Sequence, residues 1–120
     1  MTAPRVKRVY AAPEAADGTR ILVDRLWPRG LTKEKAQVDL WLKDIAPSDA
    51  LRRRFHARPE DWDEFCASYA AELQGAAAQA AAKELRERIK QGPVTLLYAA
   101  RDESHNNAAA LAAWLERPKR

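Results

Sequence analysis

Cys66 is the only cysteine in this chain of 120 residues. One thiol excludes an internal disulfide and a zinc site built from the cysteines of a single chain. Histidine is almost as scarce. His56 and His105 lie far apart and do not suggest a transition-metal site, so no metal ligands are assigned; a carboxylate-held Mg²⁺ stays open. The four glycines form neither GxGxxG nor GxxxxGK, which removes the glycine-rich phosphate loops. HExxH and GxSxG are also missing, so neither a zincin helix nor a nucleophile elbow is present. Nothing in the sequence names a cofactor. No apolar run approaches the ~20 residues of a membrane span, and "MTAPRVKRVY" has no apolar signal core. A cytoplasmic protein without a membrane partner is expected.

Large apolar side chains are in short supply too. Hydrophobic residues make up 47%, but 25 of them are alanine, so the core should be thin. A chain of this length should form one domain, residues 1–120, with little surplus core. Such a core suits a monomer, a homodimer or a ligand-stabilised fold. Basic residues number 21 against 17 acidic, a net charge of +4, which permits anionic partners without demanding them. Arg5, Lys7 and Arg8, the run Arg52–Arg54 with Arg58, and the tail Arg117, Lys119 and Arg120 carry much of that excess.

The apolar pattern gives the elements. "VKRVYAA" reads as a first strand, and Asp17-Gly18 as a turn. "TRILVD" holds three consecutive apolar residues, which suggests a strand buried on both faces. Thr32 caps a short turn, "KEKA". Val38, Leu40 and Leu42 alternate with polar positions as in a third strand. A short helix runs from Pro47, Ser48 or Asp49 to about His56. Pro59 opens a long helical stretch whose apolar face is Trp62, Phe65, Cys66, Tyr69 and Leu73. Cys66 lies inside that stripe, as a packing residue would. Gly75 interrupts, and Leu85 and Ile89 continue the stripe. "GPVTLLYAA" is the clearest strand. A last helix, capped by Asp102 or Ser104 and beginning near His105, ends before Pro118. The expected fold is α/β, with a short, partly parallel sheet flanked by helices.

Three polar clusters follow three apolar runs: "DRLWPRG", "KDIAPS" and "ARDESHNN". In open α/β sheets ligands bind outside the carboxyl ends of the strands. If the strands are parallel, these clusters share one edge. An anionic small molecule, such as a nucleotide- or phosphate-bearing one, would meet Arg25, Arg29 and Arg101 there, since guanidinium groups grip carboxylate or phosphate in two places. Trp27, Asp44, Ser48 and Asn106 would complete the binding residues, with Trp27 and Pro28 stiffening the turn. Asp24, Asp102 and His105 are the candidates for moving protons, if the protein is an enzyme. Equally, the arginines and acids could neutralise one another and only hold the loops.

"RRRFHARPEDW" supports a second reading. Arg52, Arg53, Arg54 and Arg58, interleaved with Phe55, His56 and Trp62, could bind single-stranded nucleic acid by charge and stacking. No helix-turn-helix accompanies them. The plainer alternative places Phe55 and Trp62 in the core and the arginines in solvent.

Together, "VDRLWPRGLTKEKAQVDLWLKDIAPS", "LRRRFH" and "GPVTLLYAARDESHNNAAAL" resemble the YeaO-like branch of the family called domain of unknown function 488 (DUF488). The resemblance runs from about Val6 to Leu115. It touches Asp24, Arg25, Trp27, Pro28, Arg29 and Gly30 in the first cluster, and Trp41, Lys43, Pro47 and Ser48 in the second. Further on it touches Phe55, His56, Tyr98, Asp102, His105 and Asn106. It implies a small bacterial or archaeal cytoplasmic protein and supports the fold and the place of the site. It implies no reaction.

Overall fold

The structure is a computed structural model describing residues 3–116; the basic tail of Arg117, Lys119 and Arg120 lies outside the described residues. Four strands form one sheet: β1 (Arg5–Arg8), β2 (Thr19–Leu22), β3 (Leu40–Trp41) and β4 (Val94–Tyr98). Their order is β1-β4-β2-β3. Every pairing is parallel, with Ile21 beside both Leu96 and Leu40, and Val6 beside Leu96. The sheet is thus parallel throughout, where the sequence suggested parallel pairing only in part. β2 and β4 occupy the centre, and Ile21, Leu22, Val23, Leu96 and Leu97 are completely buried. That burial on both faces is why their sequences do not alternate.

Successive strand residues point to opposite faces, and the two faces are covered unequally. Ile21, Val23, Leu96 and Tyr98 face a thick helical layer. It is built from α2 (Asp49–Ala57), α3 (Trp62–Glu72), α4 (Ala76–Gln91) and α5 (Asn107–Leu115). Leu51, Phe65, Tyr69, Leu85 and Leu111 are its buried side chains. Leu22 and Leu97 face a thin layer of Val9 and Ala36, with Trp27, Leu31, Val38 and Trp41 partly buried around them. Ala36 ends the single-turn helix α1 (Lys33–Ala36), capped by the Thr32 hydroxyl. Twenty-five alanines are therefore tolerable: only one face carries a deep core, and small side chains let α4 and α5 lie close against it.

Several boundaries differ from the sequence reading. β3 pairs only at Leu40 and Trp41, because the chain turns at once into a 3-10 turn, Lys43–Ile45. Pro59 lies in a turn, and α3 starts at Trp62 after Asp61. α5 is capped by Asn106, not by Asp102 or Ser104, so His105 precedes the helix instead of beginning it. Asp102 is diverted into a tight turn, where its carboxylate accepts from the Ser104 and His105 N–H groups. On α3 and its C-cap, Phe65, Tyr69 and Leu73 are buried, whereas Trp62 and Cys66 are half-buried at the margin of the same core. Gly18 makes the turn into β2 at φ +64°, and a Cβ there would stand 2.3 Å from the Pro93 carbonyl oxygen. Only glycine fits that approach.

Candidate functional site

Parallel pairing brings all three polar clusters to the carboxyl edge of the sheet. The coverage of the two faces then picks out a position along that edge. β2 leads to α1 on the thin face, and its neighbour β4 leads to α5 on the thick face. Adjacent strands whose connections depart to opposite faces leave a crevice between them, the topological switch point of an open α/β sheet.

Asp24 stands at that crevice. One carboxylate oxygen accepts from the Ala99 N–H at 2.9 Å, and the other accepts from Asn107 Nδ2 at 2.9 Å. Asn107 Nδ2 also donates to the Val23 carbonyl, and Trp41 Nε1 donates to the Asp24 carbonyl at 2.7 Å. One residue thus ties the ends of β2, β3 and β4 to the start of α5. Burial pushes the Asp24 carboxyl above the usual range, opposed by the Asn107 amide, the Ala99 N–H and the positive charge of Arg52. Asn107 was not among the expected site residues. Its signal was present, since a second asparagine at a helix start is redundant as a cap.

Arg25 departs the other way. Its Nη2 donates to the Ala46 carbonyl at 3.0 Å and its Nε to that of Pro47 at 3.4 Å. The loop that follows is held firmly. Trp27 Nε1 donates to the Leu31 carbonyl and packs edge-on to Trp41, the ring centres 5.4 Å apart. The Tyr10 hydroxyl donates to the Arg29 carbonyl. Arg25 borders a cavity of about 350 Å³, shared with Asp44, Ser48, Tyr69, Glu72 and the first turn of α4. Ser48 caps α2 and, through its N–H and hydroxyl, donates to the two Glu72 carboxylate oxygens. Tyr69 donates its hydroxyl to the Ile45 carbonyl, and burial pushes its pKa well up. Among the described residues, no acid lies within ion-pair distance of Arg25, Arg29 or Arg101.

The third cluster is a separate arrangement. Asp102 lies 3.4 Å from His105 Nδ1, with both side chains about half exposed. The Ser104 and His105 N–H groups hold the Asp102 carboxyl below the usual range. The His105 ring packs edge-on to Trp62, 5.0 Å between centres. Asn106 is buried, accepts from the Ala109 N–H and donates to the Asp102 carbonyl. Arg29 and Arg101 are exposed. The clusters therefore share an edge but form three neighbouring groups: Asp24 with Asn107, Arg25 with Asp44 and Ser48, and Asp102 with His105. Among the described residues no group of three or more His, Cys, Asp or Glu side chains could hold a metal ion.

The arginine-rich helix has local acids. Arg52 and Arg53 lie 3.2 and 3.9 Å from Asp49, Arg54 3.9 Å from Glu64, and Arg58 3.1 Å from Asp61. A buried ion cluster at the amino end of β2 was missed from sequence. Asp17 binds Arg20 at 2.6 Å and Lys7 at 3.1 Å, and Arg20 also donates to the Ala36 and Gln37 carbonyls. The hint was Arg20 itself, which strand alternation puts on the same face as Leu22.

The model of the family described as the inactive DUF488-N3 subclade matches residues 4–119. The uncharacterised protein YeaO of Escherichia coli K12 is 47% identical over 109 residues, covering 91% of this chain and 93% of that one. The uncharacterised proteins Rv3073c of Mycobacterium tuberculosis and Mb3100c of Mycobacterium bovis are each 44% identical over 111 residues, covering 92% of both chains. No solved structure matches.

Proposed function

We propose, from the premise that this chain belongs to the inactive DUF488-N3 subclade, that it binds a small anionic molecule at the carboxyl edge of its sheet without transforming it. The observation that carries the reading is Arg25. Its guanidinium is held by two backbone carbonyls, has no acid within ion-pair distance among the described residues, and borders a cavity at the low end of ligand-pocket volumes. A guanidinium oriented by carbonyls keeps its full charge for a ligand, whereas one paired with a carboxylate does not. The reading of binding without catalysis rests on the description of the subclade as inactive. In this reading Asp44 and Ser48 line the site, while Trp27 braces the loop that follows Arg25.

Among the described residues, no helix is long and apolar enough to cross a membrane. We place the binding activity in the cytoplasm, in keeping with a chain whose single cysteine can form no internal disulfide.

Calorimetric and thermal-shift titrations with inorganic phosphate, pyrophosphate and simple carboxylates test the reading. At least one anion should stabilise the protein, and Arg25→Ala should remove that response; the variant also loses the bonds to the Ala46 and Pro47 carbonyls, so its unliganded melting temperature should fall while its unfolding stays cooperative. Equal binding by the variant, or no response to any anion, would overturn it.

A further inference from the structure

We propose that the Arg25 cavity takes a small zwitterion of the α-amino-acid class, its carboxylate on Arg25 and its ammonium group on Asp44 and Glu72. The inference rests on Arg25 being an anion anchor and goes on to name the ligand. Three observations carry it. First, the charged side chains lining the cavity are one cation and two acids, so a polyanion would bring its second charge against Asp44 or Glu72. A ligand with one anionic and one cationic group matches both signs.

Second, the cation and the acids share the cavity without neutralising each other. No ion pair joins Arg25 to Asp44 or Glu72 among the described residues, and Arg25 commits only two of its five N–H donors, to the Ala46 and Pro47 carbonyls, leaving the others for a carboxylate. The Asp44 carboxylate makes no hydrogen bond or ion pair among the described residues, so it is available to a ligand. Glu72 is positioned by the Ser48 N–H and hydroxyl and retains further lone pairs. Third, the size is right. About 350 Å³ lies at the low end of small-molecule sites and leaves room for an amino acid. Leu73 and Ala76 to Ala78 supply apolar wall for an aliphatic side chain.

The experiment is a titration of the protein with the standard L-α-amino acids, their des-amino carboxylic acids, and inorganic phosphate. Calorimetry reads affinity, and amide chemical shifts at Ser48 and Gly75 locate the site. At least one amino acid should bind and shift those amides, and its des-amino counterpart should bind about tenfold more weakly or worse. Asp44→Asn should weaken the amino acid without weakening the des-amino acid, and Arg25→Ala should remove both. Asp44 is exposed, so the folding of Asp44→Asn is checked by its melting temperature, and Asp44→Glu should restore the preference. If phosphate or the des-amino acids bind as tightly as any amino acid, or Asp44→Asn does not discriminate, the zwitterion assignment falls and the anion anchor stands. If neither zwitterions nor anions bind, both fall.

Discussion

Asp24 keeps a carboxylate in a mostly dry crevice and gives each of its oxygens one protein donor. Burial outweighs those donors, so its folded pKa lies above the ordinary carboxylate value of ~3.9. Between the ordinary and the raised value, the folded protein holds a proton that the unfolded chain has released. This contribution to stability is full below the ordinary value and is lost as pH rises through the folded pKa. Asp24→Asn removes the titration and turns an amide N–H₂ toward one of the two donors. Urea unfolding across the weakly acidic range should show the parent losing stability relative to the variant as pH rises. A pH-independent difference would mean that Asp24 titrates normally. Asp17 works with the opposite sign. Burial would raise its pKa, but the Glu14 N–H, Lys7 and Arg20 together lower it, so its contribution is lost only as pH falls through the lowered value. Its partner Arg20 is 3% exposed. Arg20→Met leaves Asp17 charged and under-paired, and should cost about 3–5 kcal/mol in urea unfolding. That is a large share of the 5–15 kcal/mol typical of a domain. A loss below about 1 kcal/mol would show that Lys7 alone suffices.

At the scale of elements, α5 shows how a cap is chosen. Asp102, Ser104 and Asn106 are all competent cap residues. Asn106 takes the position because its amide satisfies two groups at once, accepting from Ala109 and donating to the Asp102 carbonyl. Asn106→Ala should destabilise the protein by about 1 kcal/mol, with 2 as an upper bound, measured by chemical denaturation. No loss would mean that the helix start shifts back to Asp102. α3 starts beyond Pro59, and its first aromatic, Trp62, is only half-buried. Trp62 instead stacks on Phe65, leans on Phe55 and meets His105. It joins α2, α3 and the loop before α5 at the surface of the helical layer. α1 and β3 are short because the thin face needs only Ala36, Trp27 and Trp41 to close over Leu22 and Leu97.

At the scale of the molecule, basic residues outnumber acids, yet the excess is not gathered on α2. Its arginines, and Arg58 just beyond its end, lie beside Asp49, Glu64, Glu60 and Asp61 at the surface. Exposed pairs of this kind contribute little stability, but they offset the field a nucleic acid would follow. Fluorescence anisotropy with random-sequence RNA or single-stranded DNA should show only weak binding, with a shallow dependence on salt. A steep linear fall of log affinity with log salt would restore the nucleic-acid reading, because that slope counts phosphates neutralised.

The sequence alone determined the element types and the buried centre. The runs Ile21–Val23 and Val94–Tyr98 can be stable only where water is excluded from both faces, and composition carries that information locally. It also placed the polar clusters at the ends of strands, since charged residues after an apolar run mark where the chain leaves the core. Tertiary structure decided the rest. Parallel pairing throughout, the insertion of β4 between β1 and β2, and the opposite departures of α1 and α5 depend on contacts between distant segments. Those contacts sent Asp24 toward Asn107 and its neighbour Arg25 toward Ala46. They also converted Arg20, an unremarkable strand residue, into the partner of a buried Asp17. Adjacent residues in a loop have no local rule for where their side chains point; the packing of the elements on either side sets it.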